Sequence, residues 1–281
     1  MKIILKLNKT VQENAAIYFE KAKKAKKKLD GALEAIERSR KNLEKEKKKY
    51  EKDQEKEKVK PVKREVKKQW YDKFRWFVSS EGFLVIGGRD ATSNEIVIKK
   101  HTDKEDVVFH TDMSGSPFFV VKSNTQINDE GKEVKATKKP TKITLQEVSD
   151  ATASFSRAWK LGMSTLEVFH VTPEQVTKTA NPGEFLPKGA FMIRGKTTYL
   201  KPTKMQVAVG IKETEEKGKK VIQVVSGPVS AISKQTKDFI VLEQGRDKVS
   251  DIAKTVRKKF GGELDDIIRA LPSGGFRLKK R

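Results

Sequence analysis

The sequence has 281 residues, with 61 Lys+Arg against 38 Asp+Glu for a formal net charge of +23, no cysteine, and a hydrophobic share of 36%. Such a surplus makes a polyanion, nucleic acid or an anionic membrane surface, the default partner. The missing cysteines exclude a disulfide-stapled secreted domain, a thiolate nucleophile, a Cys-ligated zinc site and an iron–sulfur cluster. No window approaches the ~18 apolar residues of a membrane span, so the chain is read as soluble and cytoplasmic, with no membrane partner.

In chain order, residues 1–69 form a basic arm with 24 Lys/Arg and 12 Asp/Glu, about half of the surplus charge. Val11, Ala15, Tyr18, Ala22, Ala25, Leu29, Ala32, Ile36, Ser39, Leu43, Glu46 and Tyr50 follow the alternating four-and-three spacing of a coiled-coil seam. No proline interrupts it before Pro61, and between Tyr50 and Trp70 the only apolar residues are Val59, Val62 and Val66. The register runs unbroken across Asp30-Gly31, which predicts one helix in preference to a hairpin turning there. The seam is thin and Ala-rich, so the helix needs a partner.

A folded body begins at Trp70. Strands are predicted at Trp76–Val78 and Phe83–Ile86 around the hairpin loop Ser79–Gly82. Asp90 is the expected N-cap of a helix through Lys100. Strands at Val107–His110 and Pro117–Lys122 follow, then a polar loop or hairpin tip over Asn124–Lys142. Thr144-Leu-Gln-Glu147 has the capping-box pattern and is expected to open a helix to Leu161. Strands at Thr165–Val171 and Ala190–Arg194 flank a loop rich in Pro and Gly. After Pro202 a smaller unit is expected: strands at Met205–Ile211, Val221–Val225 and Phe239–Leu242, a helix capped by Ser250 and stopping at Gly261-Gly262, a short helix over Leu264–Leu271, and a basic tail from Phe276. The fold class is therefore α+β: a long coiled-coil helix over 1–69, a mixed α/β domain over 70–202 and a small α/β domain over 203–281.

Little in this chain points to covalent chemistry. A Gly-x-Ser-x-Gly elbow and a Walker phosphate loop are both missing from the sequence. His101-Thr-Asp103 and His110-Thr-Asp112 each put an imidazole and a carboxylate two residues apart, a possible metal set for a metal-dependent enzyme if brought together. Gly87-Gly-Arg-Asp90 feeding a helix reads as turn chemistry before phosphate cradle, since Asp90 would repel a phosphate. The stronger signal is basic groups among aromatics and glycines: Arg75 between Phe74 and Trp76, Lys178 before Asn181-Pro-Gly183, and Arg194-Gly-Lys196 ending a strand. Such groups suit phosphate contacts, and exposed aromatics stack unpaired bases.

These same residues carry a family resemblance. Trp70–Glu95, with Gly87-Gly-Arg-Asp90 inside it, resembles the opening of the NFACT-R domain, and His110-Thr-Asp-Met-Ser-Gly-Ser-Pro117 is similar to its His-Ala-Asp-x-x-Gly-Ala-Pro stretch. Pro173–Lys178, Gly183-Glu-Phe-Leu-Pro187 and Gly189–Gly195 resemble its later blocks, and Glu13–Lys24 resembles the start of that family's coiled coil. Thr197-Thr198 and Ser116 depart from the family pattern. The resemblance covers roughly residues 10–202 and implies membership of the NFACT family of ribosome-associated quality-control factors, archaeal type. It further implies RNA binding without bond-making by this chain and without a cofactor. The implied partners are large-subunit rRNA and tRNA on a 50S–peptidyl-tRNA complex during template-free tailing. Arg75, Arg89, Lys99, Lys100, Lys178, Arg194 and Lys196 are the expected phosphate contacts, and His110 and Asn94 the expected base or sugar contacts. Full-length members begin with an NFACT-N domain and a helix–hairpin–helix domain not found here, and residues 1–9 resemble the last strand of that half. The expectation is a split-gene product or a fragment, with a separately encoded NFACT-N chain as the partner that the arm docks.

Overall fold

The computed structural model describes residues 4–56, 69–202, 204–216 and 219–279. The end of the expected arm over 57–68, with Val59, Val62 and Val66, the side chain of Tyr50, and the last two residues of the basic tail lie outside the described residues. Met1–Lys63 and Arg64–Arg281 are two compact units.

In the first unit, helix α1 runs without a break over Val11–Lys56, 46 residues and about 69 Å. It passes straight through Asp30-Gly31, where nothing lies within 4 Å of the place a Gly31 Cβ would occupy. Thr10 and Glu13 cap its start reciprocally: the Glu13 N–H donates to the Thr10 hydroxyl at 3.2 Å, and the Thr10 N–H to the Glu13 carboxylate at 2.8 Å. Residues 4–10 form no strand, contrary to expectation, because helix side chains bind their backbone. Asn14, buried, donates to the carbonyls of Lys6, Lys9 and Thr10 and accepts from the Lys6 N–H. The Tyr18 hydroxyl bridges both backbone groups of Ile4. Farther along, the seam is bare: Leu29, Ile36 and Leu43 are 59%, 53% and 58% exposed.

The second unit opens with β1 (Arg75–Val78) and β2 (Phe83–Gly87), followed by α2 (Ala91–Lys100), β3 (Val107–Thr111), β4 (Phe119–Ile127) and β5 (Glu133–Lys135). Next come α3 (Lys142–Ser154), α4 (Arg157–Leu161), β6 (Val168–Val171), β7 (Val176–Thr177), β8 (Met192–Ile193) and β9 (Thr198–Leu200). The chain ends with β10 (Gln206–Glu216), β11 (Lys219–Gly227), α5 (Val229–Gln235), β12 (Phe239–Asp247), α6 (Val249–Phe260), α7 (Leu264–Ala270) and β13 (Phe276–Leu278). An antiparallel sheet has the order β1-β2-β4-β3-β6-β9 with β5 paired to β4, a second has the order β11-β10-β12-β13, and β7 pairs with β8.

The first sheet is buried on both faces, which is why β2 reads as an uninterrupted apolar run. Phe83 and Val85 join one core with Phe119 and Val121, while Leu84 and Ile86 join another with Val120 and with Val97 of α2. The first of these cores also takes Val207, Val209, Leu242 and Phe276 from the second sheet, together with Trp159 of α4. Residues 70–202 and 203–281, separated in the sequence reading, thus differ in sheet and share a core. Trp159 joins them further, its indole N–H donating to the Gly275 carbonyl at 3.1 Å.

The long helix expected from Thr144 to Leu161 is instead two, capped at Thr141 and Ser156. Glu147 does not reach back to a cap; its carboxylate accepts from the Ser80 N–H and the Ser230 hydroxyl. Within β4, Lys122 is almost fully buried, and its ammonium donates to the His101 carbonyl, to Asp103 at 2.6 Å and to the buried Asp106.

Candidate nucleic-acid interface

A groove of about 610 Å³ opens where three segments meet: the first turn of α2, the Thr111–Phe118 turn, and the Pro187–Phe191 loop. Asp90 caps the helix there, accepting from the Ser93 N–H at 2.8 Å, a bond that holds its carboxyl below the usual range. Gly88 and Asn94 lock strand to helix. The Asn94 side-chain carbonyl accepts from the Phe118 N–H at 3.1 Å, and the Gly88 N–H donates to the Phe118 carbonyl at 3.1 Å. The Pro187–Phe191 loop rests directly on α2, because Gly189, at φ +80°, has no Cβ; one would lie 2.5 Å from the Ala91 Cα.

Of the expected contact residues, Arg75, Arg89, Asn94 and His110 come together along this groove. All four also hold the fold. Arg75 stacks over the Phe155 ring, 4.7 Å from its centroid, and donates to the Leu271 carbonyl at 3.1 Å. Burial, and then the charge of Arg89, pull its guanidinium down to about 10. Arg89 donates to the carbonyls of Phe74 at 2.7 Å and Asp72 at 3.3 Å. Asn94 is buried. His110 stacks on Phe118 with ring centroids 3.8 Å apart, and its Nδ1 lies 3.0 Å from the Pro117 carbonyl. A carbonyl only accepts, so Nδ1 carries the proton.

Burial is the main reason that His110 is pushed down to about 4, so the ring is neutral at pH 7 and adds no positive charge to the groove. Its depressed value has a sign for stability. The folded state resists protonating the ring, so its contribution is present above the ordinary histidine pKa and is lost as pH falls through about 4. Denaturant melts at pH 7 and pH 4 should therefore show an acid loss of up to about 3 kcal/mol that His110→Gln lacks. Equal losses in both proteins would contradict this assignment.

Lys99, Lys100, Lys178, Arg194 and Lys196 do not line the groove. Lys99 pairs with Glu95 at 2.6 Å, and with the exposed Lys100 it sits at the far end of α2, about 15 Å from the capped end. Lys178 braces the loop: its ammonium donates to the Pro187 carbonyl at 3.1 Å and lies 4.8 Å from the Phe191 ring centroid. The Arg194 guanidinium donates to the Thr179 carbonyl at 3.1 Å, and Lys196 is exposed nearby. The groove adds Lys188, which the sequence reading did not single out although it stands between Pro187 and Gly189 in a Pro/Gly-rich loop. Two residues before Pro187, Phe185 is 87% exposed.

The metal reading finds no ligand set: among the described residues no three His, Asp or Glu side chains are placed to hold an ion. His101 instead stacks on Trp70 with centroids 4.7 Å apart, and Asp103 pairs with Lys122. Among the same residues no helix is long and apolar enough to cross a membrane.

Residues 73–195 match the family described as the NFACT protein RNA binding domain. The chain is 38% identical over 225 residues to the archaeal Rqc2 homolog aRqcH of Methanocaldococcus jannaschii, covering 78% of this chain and 31% of that protein. It is 29% identical over 261 residues to the mouse ribosome quality control complex subunit NEMF, covering 90% of this chain and 23% of that one. A Drosophila melanogaster NEMF homolog is 40% identical over 131 residues, 47% of this chain and 12% of its own. The chain thus spans about a third or less of the length of these relatives.

Proposed function

Because the chain belongs to the NFACT family through its RNA-binding domain, we propose that it binds RNA along the α2 groove as a component of ribosome-associated quality control. In this reading the RNA is rRNA and tRNA of a large ribosomal subunit that still holds peptidyl-tRNA. The chain then supports tRNA recruitment for template-free C-terminal tailing in the cytoplasm, while the ribosome makes the bonds. The observation that carries the proposal is the groove itself. Arg75, Arg89 and Lys188 line a cleft closed by glycine-dependent backbone contacts, and Lys178, Arg194, Lys196 and the exposed Phe185 lie in or beside the loop that forms its edge. Cations there neutralise phosphates and an exposed ring stacks bases.

Fluorescence anisotropy with single-stranded RNA across a salt series tests it. Log affinity should fall by about 0.7 per phosphate contact per log unit of salt, so contacts from Lys188, Arg194 and Lys196 give a slope near −2. Lys188→Ala, Arg194→Ala and Lys196→Ala should each flatten the slope by about 0.7. Salt-independent binding would refute the groove as an RNA site.

The bare seam of α1 supports a second role, docking of a separately encoded NFACT-N chain. More than half of each of the side chains of Leu29, Leu33, Ile36 and Leu43 is exposed, a row of apolar groups that a second helix would cover.

A further inference from the structure

A second cavity, of about 370 Å³, shares Arg75, Arg89 and Phe155 with the groove and runs from there to β11 and α7. Its charged lining is Lys73, Arg75, Arg89 and Arg269 against Asp72 and Asp266. Much of the rest is aromatic, with Trp70, Phe74 and Trp76 on one wall. Two polar atoms in this lining are buried without a hydrogen-bond partner, Arg89 Nε and Ser226 Oγ. Buried polar atoms are nearly always satisfied, and these two are a donor and a hydroxyl, both suited to an anionic oxygen. The carboxylates leave the cations in excess. Asp72 already accepts from the Gln69 N–H at 2.7 Å. Arg89 is lowered by burial and then by Arg269, although Asp266, Asp72 and Asp90 oppose that effect.

We propose that this cavity receives a single nucleotide, its base among the aromatic side chains and its phosphate between Arg89, Arg269 and Ser226. The proposal rests on the RNA-binding reading and deepens it: a strand lying in the groove would turn one nucleotide past Arg75 and Arg89 into the cavity. Aromatic-lined, mostly apolar pockets with a few convergent polar groups are the usual form of such sites, and unstacked bases of single-stranded RNA are recognised this way. The same chemistry belongs to a free nucleoside monophosphate, and the measurement separates the two sources.

The full chain is titrated with AMP, with inorganic phosphate and with a labelled ten-nucleotide single-stranded RNA, following tryptophan fluorescence and, for the RNA, anisotropy. Trp70 and Trp76 line the cavity, so AMP and RNA should quench emission and phosphate should not. Arg269→Ala and Ser226→Ala should each weaken the quenching equilibrium about tenfold, equivalent to 1.4 kcal/mol. Ser226→Ala should melt no lower than the parent, because it removes an unpartnered hydroxyl, so a loss of binding cannot be a loss of fold. RNA binding without quenching, and indifferent to both variants, would overturn the cavity proposal and leave the groove reading standing. Absence of RNA binding would overturn the groove reading; quenching by AMP alone would then assign the cavity to a free nucleotide and overturn its role for a strand. Equal responses to phosphate and AMP would overturn base recognition.

Discussion

Lys122→Met is expected to destabilise the protein by about 3–5 kcal/mol at pH 7, with a much smaller cost at pH 4. Asp106 is the reason. Its side chain is 1% exposed, and the Lys122 ammonium is the only cation that pairs with it in the described structure. Removing one partner of a buried pair leaves an uncompensated charge, which costs about that much. Burial already raises the Asp106 carboxyl, with the Lys122 hydrogen bond as the largest opposing influence, so the variant raises it further. A carboxyl whose folded pKa lies above its unfolded value favours folding below the unfolded pKa, and that contribution is lost as pH rises through the folded one. The variant should therefore recover as Asp106 takes up a proton. Guanidinium melts from pH 4 to 8 test this, and a cost that is flat across that range would contradict it. Adding Asp106→Asn to Lys122→Met should restore part of the loss at pH 7, because the amide keeps an acceptor for the N–H groups of Asp103 or Ser123 without a charge.

Gly88→Ala should cost about 2–6 kcal/mol and weaken RNA binding together with stability. The added Cβ would stand 1.9 Å from the Asn94 side-chain oxygen and 2.8 Å from the Asn94 backbone nitrogen. The side chain has to leave, and the backbone of α2 behind it cannot. Asn94 then abandons the buried Phe118 N–H, a loss of about 1–3 kcal/mol, and the overpacking adds about 1–3 kcal/mol. Gly131→Ala is the control. Its φ is +77° but nothing lies within 4 Å, so only the backbone cost of about 1 kcal/mol is expected. Thermal melts and RNA anisotropy on both variants decide. A Gly88→Ala protein matching Gly131→Ala in both measurements would show that the close approach is not needed.

The positions of the first sheet's inner strands, though not their order in the sheet, were legible because each buried face leaves an apolar signature: β2, β3 and the start of β4 fall within a residue or two of their expected positions. So did the unbroken arm, where register outweighed the penalty of Gly31, and the family membership, where long motif blocks carried the signal. Several short elements escaped notice, β7 inside the Pro/Gly-rich loop among them. β9 is Thr-Tyr-Leu, three residues and largely exposed; β13 lies in what reads as a basic tail; α5 has seven residues after a proline. None is long enough to show a period. The cap of α3 was misplaced for a different reason. Glu81, far away in sequence, binds the hydroxyls of both Thr141 and Thr144, and Glu147 is drawn to Ser80 and Ser230. A local pattern was used for long-range contacts, which spacing cannot reveal. Arginines at the site carry the same lesson. Aromatic neighbours single out Arg75 and the Gly87–Asp90 stretch singles out Arg89, both of which line the groove, but neither pattern shows the carbonyls of Leu271, Phe74 and Asp72 to which they donate. Lys188 went unnoticed because a single lysine in a loop has no pattern to belong to.

The core shared between the two sheets sets a timetable for synthesis. Arg75 meets the carbonyl of Leu271, 196 residues later, and the fully buried Phe276 closes the same core from β13. As the chain emerges from the ribosome, the strands that carry the groove exist long before the segment that covers their inner face. Contacts this distant in sequence form late, and until then the apolar side of β1 and β2 has no lid. The groove becomes a stable object only when the segment around Phe276 has been made.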